Sequence, residues 1–140
     1  MTNWKNDAQA RRQLLTVGQA PDVRLEAVSS LVGRLVGRMA AGGSSETKVV
    51  LRYVPHRDIL TPESLADYLA ALGGVSWSSL EEAAVVVLGD VNDQVVPRWL
   101  RVRLLQLGDD QVSRHDVVVE DRQPNWDNSA LLSRLPPLDD

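Results

Sequence analysis

Two helical segments stand back to back in the middle of this chain, with strand-patterned runs on either side, and this order constrains the fold more than any other feature. The first segment opens at Thr61, a good N-cap, with Pro62 at the first helical position and Glu63 near the positive end of the helix dipole. Leu65, Tyr68, Leu69 and Leu72 form one apolar stripe, and Gly73-Gly74 supplies the stop. The second segment begins near Ser78 or Ser79, where Ser79-Leu80-Glu81-Glu82 has capping-box form. Its stripe runs through Leu80, Ala84, Val87, Leu88, Val91 and Val95, and Pro97 ends it. The run Ala83 to Leu88 is rich in β-branched residues, but the cap, the length and the stripe favour a helix.

The flanking runs alternate. In Thr47 to Val54, Val49, Leu51 and Tyr53 share one face, and Val50, Arg52 and Val54 share the other. In Arg98 to Leu107, Leu100, Val102 and Leu104 point one way, with Arg101 and Arg103 opposite. Gly108-Asp109-Asp110 reads as a turn, and Gln111 to Val119 returns as the hairpin partner. Two helices inserted between antiparallel strands predict an α+β fold with the helices on one face of the sheet.

The remaining segments read less sharply. Residues 22–39 carry Leu25, Val28, Leu31, Val32, Leu35, Val36 and Met39 at helical spacing, which favours a helix; Val23 to Val28 also alternates as a strand would. Ala40 to Glu46 is a loop by composition, and residues 1–20 read as a short helix and loop broken at Gly18 and Pro21. At 140 residues, with 44% hydrophobic and 24% charged, the chain has the size and composition of one folded domain. It has no Phe, so the core draws on Val, Leu, Ala, four Trp and two Tyr.

Composition also excludes chemistry. The absence of Cys removes disulfides, thiolate nucleophiles and Cys-type zinc sites. A net charge of −4 argues against nucleic acid as a partner. The first residues lack an apolar signal-peptide core and no run approaches membrane-helix length, so the expectation is a cytoplasmic protein without a membrane partner. The two imidazoles, His56 near Asp58 and His115 beside Asp116, show no metal-ligand spacing, and no metal is expected. Adjacent strand residues face opposite ways, so His115 and Asp116 make a poor relay. Ser44-Ser45 lies in a Gly-containing loop without a P-loop pattern.

Two stretches resemble the 7-cyano-7-deazaguanine nitrile reductases (QueF-like proteins) of the tunnelling-fold, or T-fold, superfamily. The first is Val49-Val50-Leu51-Arg52-Tyr53-Val54-Pro55-His56-Arg57, continuing to Ser64-Leu65, Tyr68 and Leu69. The second is Glu81-Glu82 followed by Pro97-Arg98-Trp99-Leu100-Arg101-Val102. Their order and spacing resemble the family over roughly residues 38–120. The resemblance implies an α+β T-fold-like domain over residues 22–120; by composition, residues 1–21 before it read as a helix and loop and residues 121–140 after it as an extended tail. It further implies a homo-oligomer or an assembly with a paralogous subunit, because such sheets join edge to edge.

The departures from the family bear on function. The position of its nucleophilic cysteine falls near Arg38 and that of its proton-handling aspartate near Ser45, so nitrile reduction through a thioimide is excluded. Its cofactor motif corresponds to Thr61-Pro62-Glu63-Ser64-Leu65-Ala66, where both lysines are absent; no cofactor is expected. Its substrate histidine corresponds to Leu80. Glu81 matches the glutamate with which T-fold proteins hold a purine-like or pterin-like ring, and a carboxylate accepts two parallel N–H bonds from such a ring. Glu81 also suits a first-turn helix carboxylate completing a cap. Arg122-Gln123-Pro124-Asn125-Trp126 is similar to a family motif but lies at the wrong end of the chain. Three functions fit: a non-catalytic binding or scaffolding module with a purine-like ligand or a paralogous partner, an enzyme with cysteine-free chemistry on such a ring, and a purely structural assembly protein.

Overall fold

In a computed structural model of the chain, residues 3–22, 24, 26–39, 43–108, 110 and 112–136 are described. Of the residues singled out in the sequence, Val23, Leu25, Ala40 to Gly42, Asp109, Gln111 and the tail residues Pro137 to Asp140 lie outside them. The elements in order are α1 (Ala8–Gln13), β1 (Val17–Gln19), β2 (Ser29–Met39), β3 (Gly43–Val54), β4 (Asp58–Leu60), α2 (Pro62–Leu72), β5 (Ser76–Trp77), α3 (Leu80–Val95), β6 (Trp99–Leu107), β7 (Arg114–Arg122) and α4 (Ser129–Leu132). The main sheet has the order β5-β2-β3-β6-β7, and β1 and β4 form a separate two-stranded ribbon. All neighbours in the main sheet are antiparallel except the short β2–β5 pair. The two inserted helices fall between the pairs β2–β3 and β6–β7, as an α+β T-fold-like arrangement requires.

Residues 29–39 form a strand, which corrects the helix favoured for residues 22–39. Adjacent apolar residues such as Leu31-Val32 and Leu35-Val36 fit a helical stripe, but they equally suit a strand that carries apolar side chains on both faces. Register with β3 decides: Leu31 opposes Leu51 and Leu35 opposes Thr47 on the helix side. Val32 and Val36 stand on the opposite face, 54% and 56% exposed. Gly33 fits between the two leucines because a Cβ there would come within 2.7 Å of Leu69 Cδ1. Two glycines and several β-branched residues also weaken a helix here. The hairpin extends β3 back to Gly43, so part of the expected Ala40–Glu46 loop is strand.

The helices follow their sequence signals, with one change of mechanism. Thr61 occupies the α2 N-cap, yet its hydroxyl lies 2.7 Å from that of Thr16 and makes no side-chain cap. Gly73 ends α2 in a right-handed conformation (φ −61°), so left-handed freedom is not its role. A Cβ there would sit 2.5 Å from the Val36 carbonyl oxygen: the residue must be small because β2 passes this close. At the end of α3, Val96 adopts φ 50°, ψ 57°, a left-handed conformation that β-branched residues rarely tolerate.

The core lies between α2, α3 and one face of the sheet, and includes Leu35, Leu51, Tyr53, Leu69, Trp77, Val87, Leu100 and Leu104. A charged cluster sits at its edge. Asp90 of α3 is fully buried. Its carboxylate accepts from Arg11 Nε (2.7 Å) and Nη2 (3.2 Å), from Arg12 Nε (2.9 Å) and from the Tyr68 hydroxyl (2.6 Å). Arg11 Nη1 also donates to the carbonyls of Trp4 and Lys5. The Asp90 hydrogen bond raises the Arg11 pKa, and burial, reinforced by Asp90, drives the Tyr68 hydroxyl far above its ordinary range. One carboxylate thereby fastens α1 to both α2 and α3.

The segment expected to be an extended tail is partly ordered against the rest. β7 runs on to Arg122, and α4 follows. Glu26 accepts from Trp126 Nε1 (2.7 Å), Asn128 Nδ2 (2.9 Å) and Arg98 Nη1 (3.2 Å), which ties this segment to the loop before β2. The Gln123-to-Trp126 stretch thus has a structural use. No helix among the described residues is long and apolar enough to cross a membrane.

Two outcomes follow from this packing. Asp90→Asn leaves the buried Arg11 without its counter-charge, and urea denaturation should register a loss of about 3–5 kcal/mol; a loss within error would show the cluster to be dispensable. Val96→Gly relieves the left-handed strain and should raise stability by roughly 1 kcal/mol; a lower urea midpoint would contradict it.

Candidate functional site

The residues with the clearest chemical potential gather where α3 begins. Ser79 Oγ accepts from the Glu82 backbone N–H at 3.0 Å, and Glu82 Oε1 accepts from the Ser78 N–H at 3.0 Å. Lys5 Nζ lies 3.4 Å from the same Glu82 oxygen and donates to the Ser76 carbonyl at 3.1 Å. The Ser78 backbone hydrogen bond, foremost among several, holds the Glu82 carboxyl below its ordinary pKa. Glu82 is therefore the first-turn carboxylate engaged at the cap, reaching back to the N–H of Ser78, the residue before the N-cap.

Glu81 is left over. It occupies the same first turn but points elsewhere, is exposed, and meets His115 of β7 with Oε2 3.4 Å from Nε2. His115 reaches it because residues 115, 117 and 119 share the helix-facing side of β7, where Val117 and Val119 pack on the core. A solvent-open carboxylate can accept hydrogen bonds, and an imidazole can donate or accept one. The pair stands at β7, the outer strand of the sheet.

The backbone brings one further sequence-derived position to this end of the molecule. Arg38 pairs with Ser76 of β5, two residues before Ser78. Ser45 stands opposite Gly37 on the same hairpin. Leu80 is core. The Thr61–Ala66 stretch serves packing: Ser64 Oγ accepts from the Thr16 N–H at 3.0 Å and donates to the Thr61 carbonyl at 2.9 Å, and Leu65 is buried.

His56 lies away from Glu81. Its Nδ1 is 3.3 Å from Gln123 Nε2, beside an open cavity of about 420 Å³ lined by His56, Arg57, Asp58, Val95, Val96 and Gln123. A larger cleft of about 870 Å³ wraps the free edge of β2 between Val32, Arg34, Val36, Lys48 and Leu69. Among the described residues, no three His, Asp or Glu side chains cluster as a metal site would.

Sequence reasoning singled out Glu81 but gave it no partner, and it missed Asp90 and Glu26 as hubs. The first-turn position of Glu82 was the available signal that the cap belonged to it. The arginines that meet Asp90 and Glu26 come from distant segments and left no local pattern.

No family model matches the chain, and no curated protein matches it. Among solved structures it is similar to the archaeosine synthase QueF-Like in the apo form, with a TM-score of 0.55 and 21% sequence identity, covering 66% of this chain and 91% of that chain. At this identity the likeness establishes architecture: the chain has an α+β, T-fold-like fold of the QueF-like kind.

The cap carries a pH signature. The folded-state pKa of Glu82 is depressed, so its contribution is complete above the unfolded value of about 4.3 and is lost as pH falls through the lower folded value. Glu82→Gln should remove that part of the acid destabilisation when urea midpoints are followed from neutral pH to below about 3. A variant whose acid profile overlays the parent would show that the cap is unimportant.

Proposed function

We propose that this chain is a T-fold binding module that assembles as an oligomer, or with a paralogous subunit, and holds a purine-like or pterin-like ring through Glu81. The observation that carries this reading is that Glu82, not Glu81, is the first-turn carboxylate engaged at the helix cap. A first-turn carboxylate spared from capping, exposed at an outer strand, is available to accept paired N–H groups from a heterocycle. His115 would orient that carboxylate in the free protein and release it to the ring. The missing cysteine, and Leu80 in the core where the nitrile reductases have their substrate histidine, support a role without nitrile reduction.

Assembly is supported by the sheet edges. β5 pairs with β2 only at Arg38 and Met39, which leaves the outer edge of Ser29 to Gly37 without a neighbouring strand among the described residues. That edge carries the exposed Val32 and Val36, and the opposite edge strand carries the exposed Val118. Long free edges with apolar side chains favour pairing with a further strand.

A second reading, an enzyme with cysteine-free chemistry on the same ring, is favoured by the Glu81–His115 pair, because a carboxylate beside an imidazole suits general acid–base transfer. Loss of turnover in His115→Gln with binding intact would single it out.

Titration calorimetry of the purified protein against 7-cyano-7-deazaguanine, guanine, urate and a pterin tests the proposal, with sedimentation velocity reporting assembly. Saturable binding that weakens about tenfold or more in Glu81→Gln is the expected result. Absence of binding to every ring by an assembled protein would overturn the ligand and leave a scaffold.

A further inference from the structure

The open cavity of about 420 Å³ beside His56 is walled by three segments that meet at the far end of α3. The turn between β3 and β4 supplies His56, Arg57 and Asp58, the end of α3 supplies Val95 and Val96, and the residue after β7 supplies Gln123. Backbone hydrogen bonds hold each wall. The Arg57 carbonyl accepts from the Ala20 N–H at 2.8 Å, the Val96 N–H donates to the Asn92 carbonyl at 3.0 Å, and the Gln123 N–H donates to the Arg98 carbonyl at 2.9 Å. A space of this order accommodates a small molecule.

The Gln123 amide decides what His56 offers. Its Nε2 lies 3.5 Å from the Val96 carbonyl oxygen and 3.3 Å from His56 Nδ1. A carbonyl only accepts, so the amide end between the two is the NH2 group, and Nδ1 accepts from it. A neutral imidazole that accepts at Nδ1 carries its proton on Nε2. The other end of the amide, Oε1, is left as an acceptor.

The cavity thus combines two donors, the Arg57 guanidinium and the His56 Nε2–H, with two acceptors, the Asp58 carboxylate and Gln123 Oε1. Arg57 and Asp58 make no ion pair with each other or with another described residue. Arg57 is exposed and Asp58 half-buried, so water serves both in the free protein. Their distinction is that one charge of each sign, each accompanied by a neutral partner of the same hydrogen-bonding sense, lines a single cavity. A ligand of net negative charge would meet Asp58, and one of net positive charge would meet Arg57. A zwitterion satisfies both, with its carboxylate on the donors and its ammonium on the acceptors. Val96, 54% exposed, adds an apolar wall.

We propose that this cavity is a second binding site, taking a free α-amino acid with an apolar side chain. Arg57 and His56 hold its carboxylate, Asp58 and Gln123 its ammonium, and Val96 its side chain. Glu81 stands in the first turn of α3 and Val95 in the last, about 20 Å apart along the helix, so failure of either reading leaves the other standing.

The test titrates the full chain with L-leucine by calorimetry and by the Arg57 Nε–H and Gln123 side-chain amide resonances. Isocaproate, which lacks the ammonium, and isopentylamine, which lacks the carboxylate, serve as comparisons. Saturable binding of leucine is expected, with both resonances shifting along the same isotherm and each comparison compound bound about tenfold or more weakly. Arg57→Gln and Asp58→Asn should each weaken leucine about tenfold or more. Circular dichroism verifies that both variants fold, and the resonance shifts in the unmodified protein decide the matter if either does not. No saturation, resonances that stay fixed, or unchanged affinity in both variants would overturn the site. Isocaproate or isopentylamine bound as tightly as leucine would overturn the ligand class.

Discussion

Strand β3 is paired along most of its length with β2 on one side and β6 on the other, and everything else in the molecule is arranged around it. From Val49 to Val54 every side chain is buried, on both faces. On the helix side, Val49, Leu51 and Tyr53 are the floor on which α2 and α3 pack, and the Tyr53 hydroxyl accepts the Leu60 N–H at 2.8 Å, fixing the ribbon that leads into α2. On the other side, Val50 and Val54 flank Arg52, a cation in a position that a central strand normally gives to an apolar residue. One strand thus defines both the packed core and the charged face.

The helix layer is locked by charge as well as by apolar burial. Asp90 receives α1 through Arg11 and Arg12 and α2 through Tyr68, so the N-terminal residues are fastened to the domain through a carboxylate with no access to water. A buried anion of this kind is tolerated because several donors converge on it. The consequence for function is positional. With α3 held at Asp90, capped by Ser79 and Glu82 and packed on the sheet, Glu81 is fixed within reach of His115.

The helices were readable because their signals are local. Ser79 and Glu82 lie within one turn, and the Thr61-Pro62-Glu63 start needs no distant partner to be recognised. β2 was misread because pairs such as Leu31-Val32 satisfy helical spacing and also a strand with apolar residues on both faces. Gly73 was legible as a stop, but its reason was not: the residue is small to admit the Val36 carbonyl, a contact that exists only once β2 is a strand.

The sequence by itself determined the absence of thiol chemistry, the two capped amphipathic helices, the alternation of β3 and β6, and the candidacy of Glu81. These depend on residue type and on spacings of a few positions, where backbone geometry alone dictates neighbours. The tertiary structure decided that residues 29–39 join the sheet, that Asp90 gathers Arg11 from seventy-nine positions away, and that Glu82 takes the cap and frees Glu81 for His115. Each depends on which distant segments are brought together and on how much water they exclude, and neither is encoded in a short run of residues.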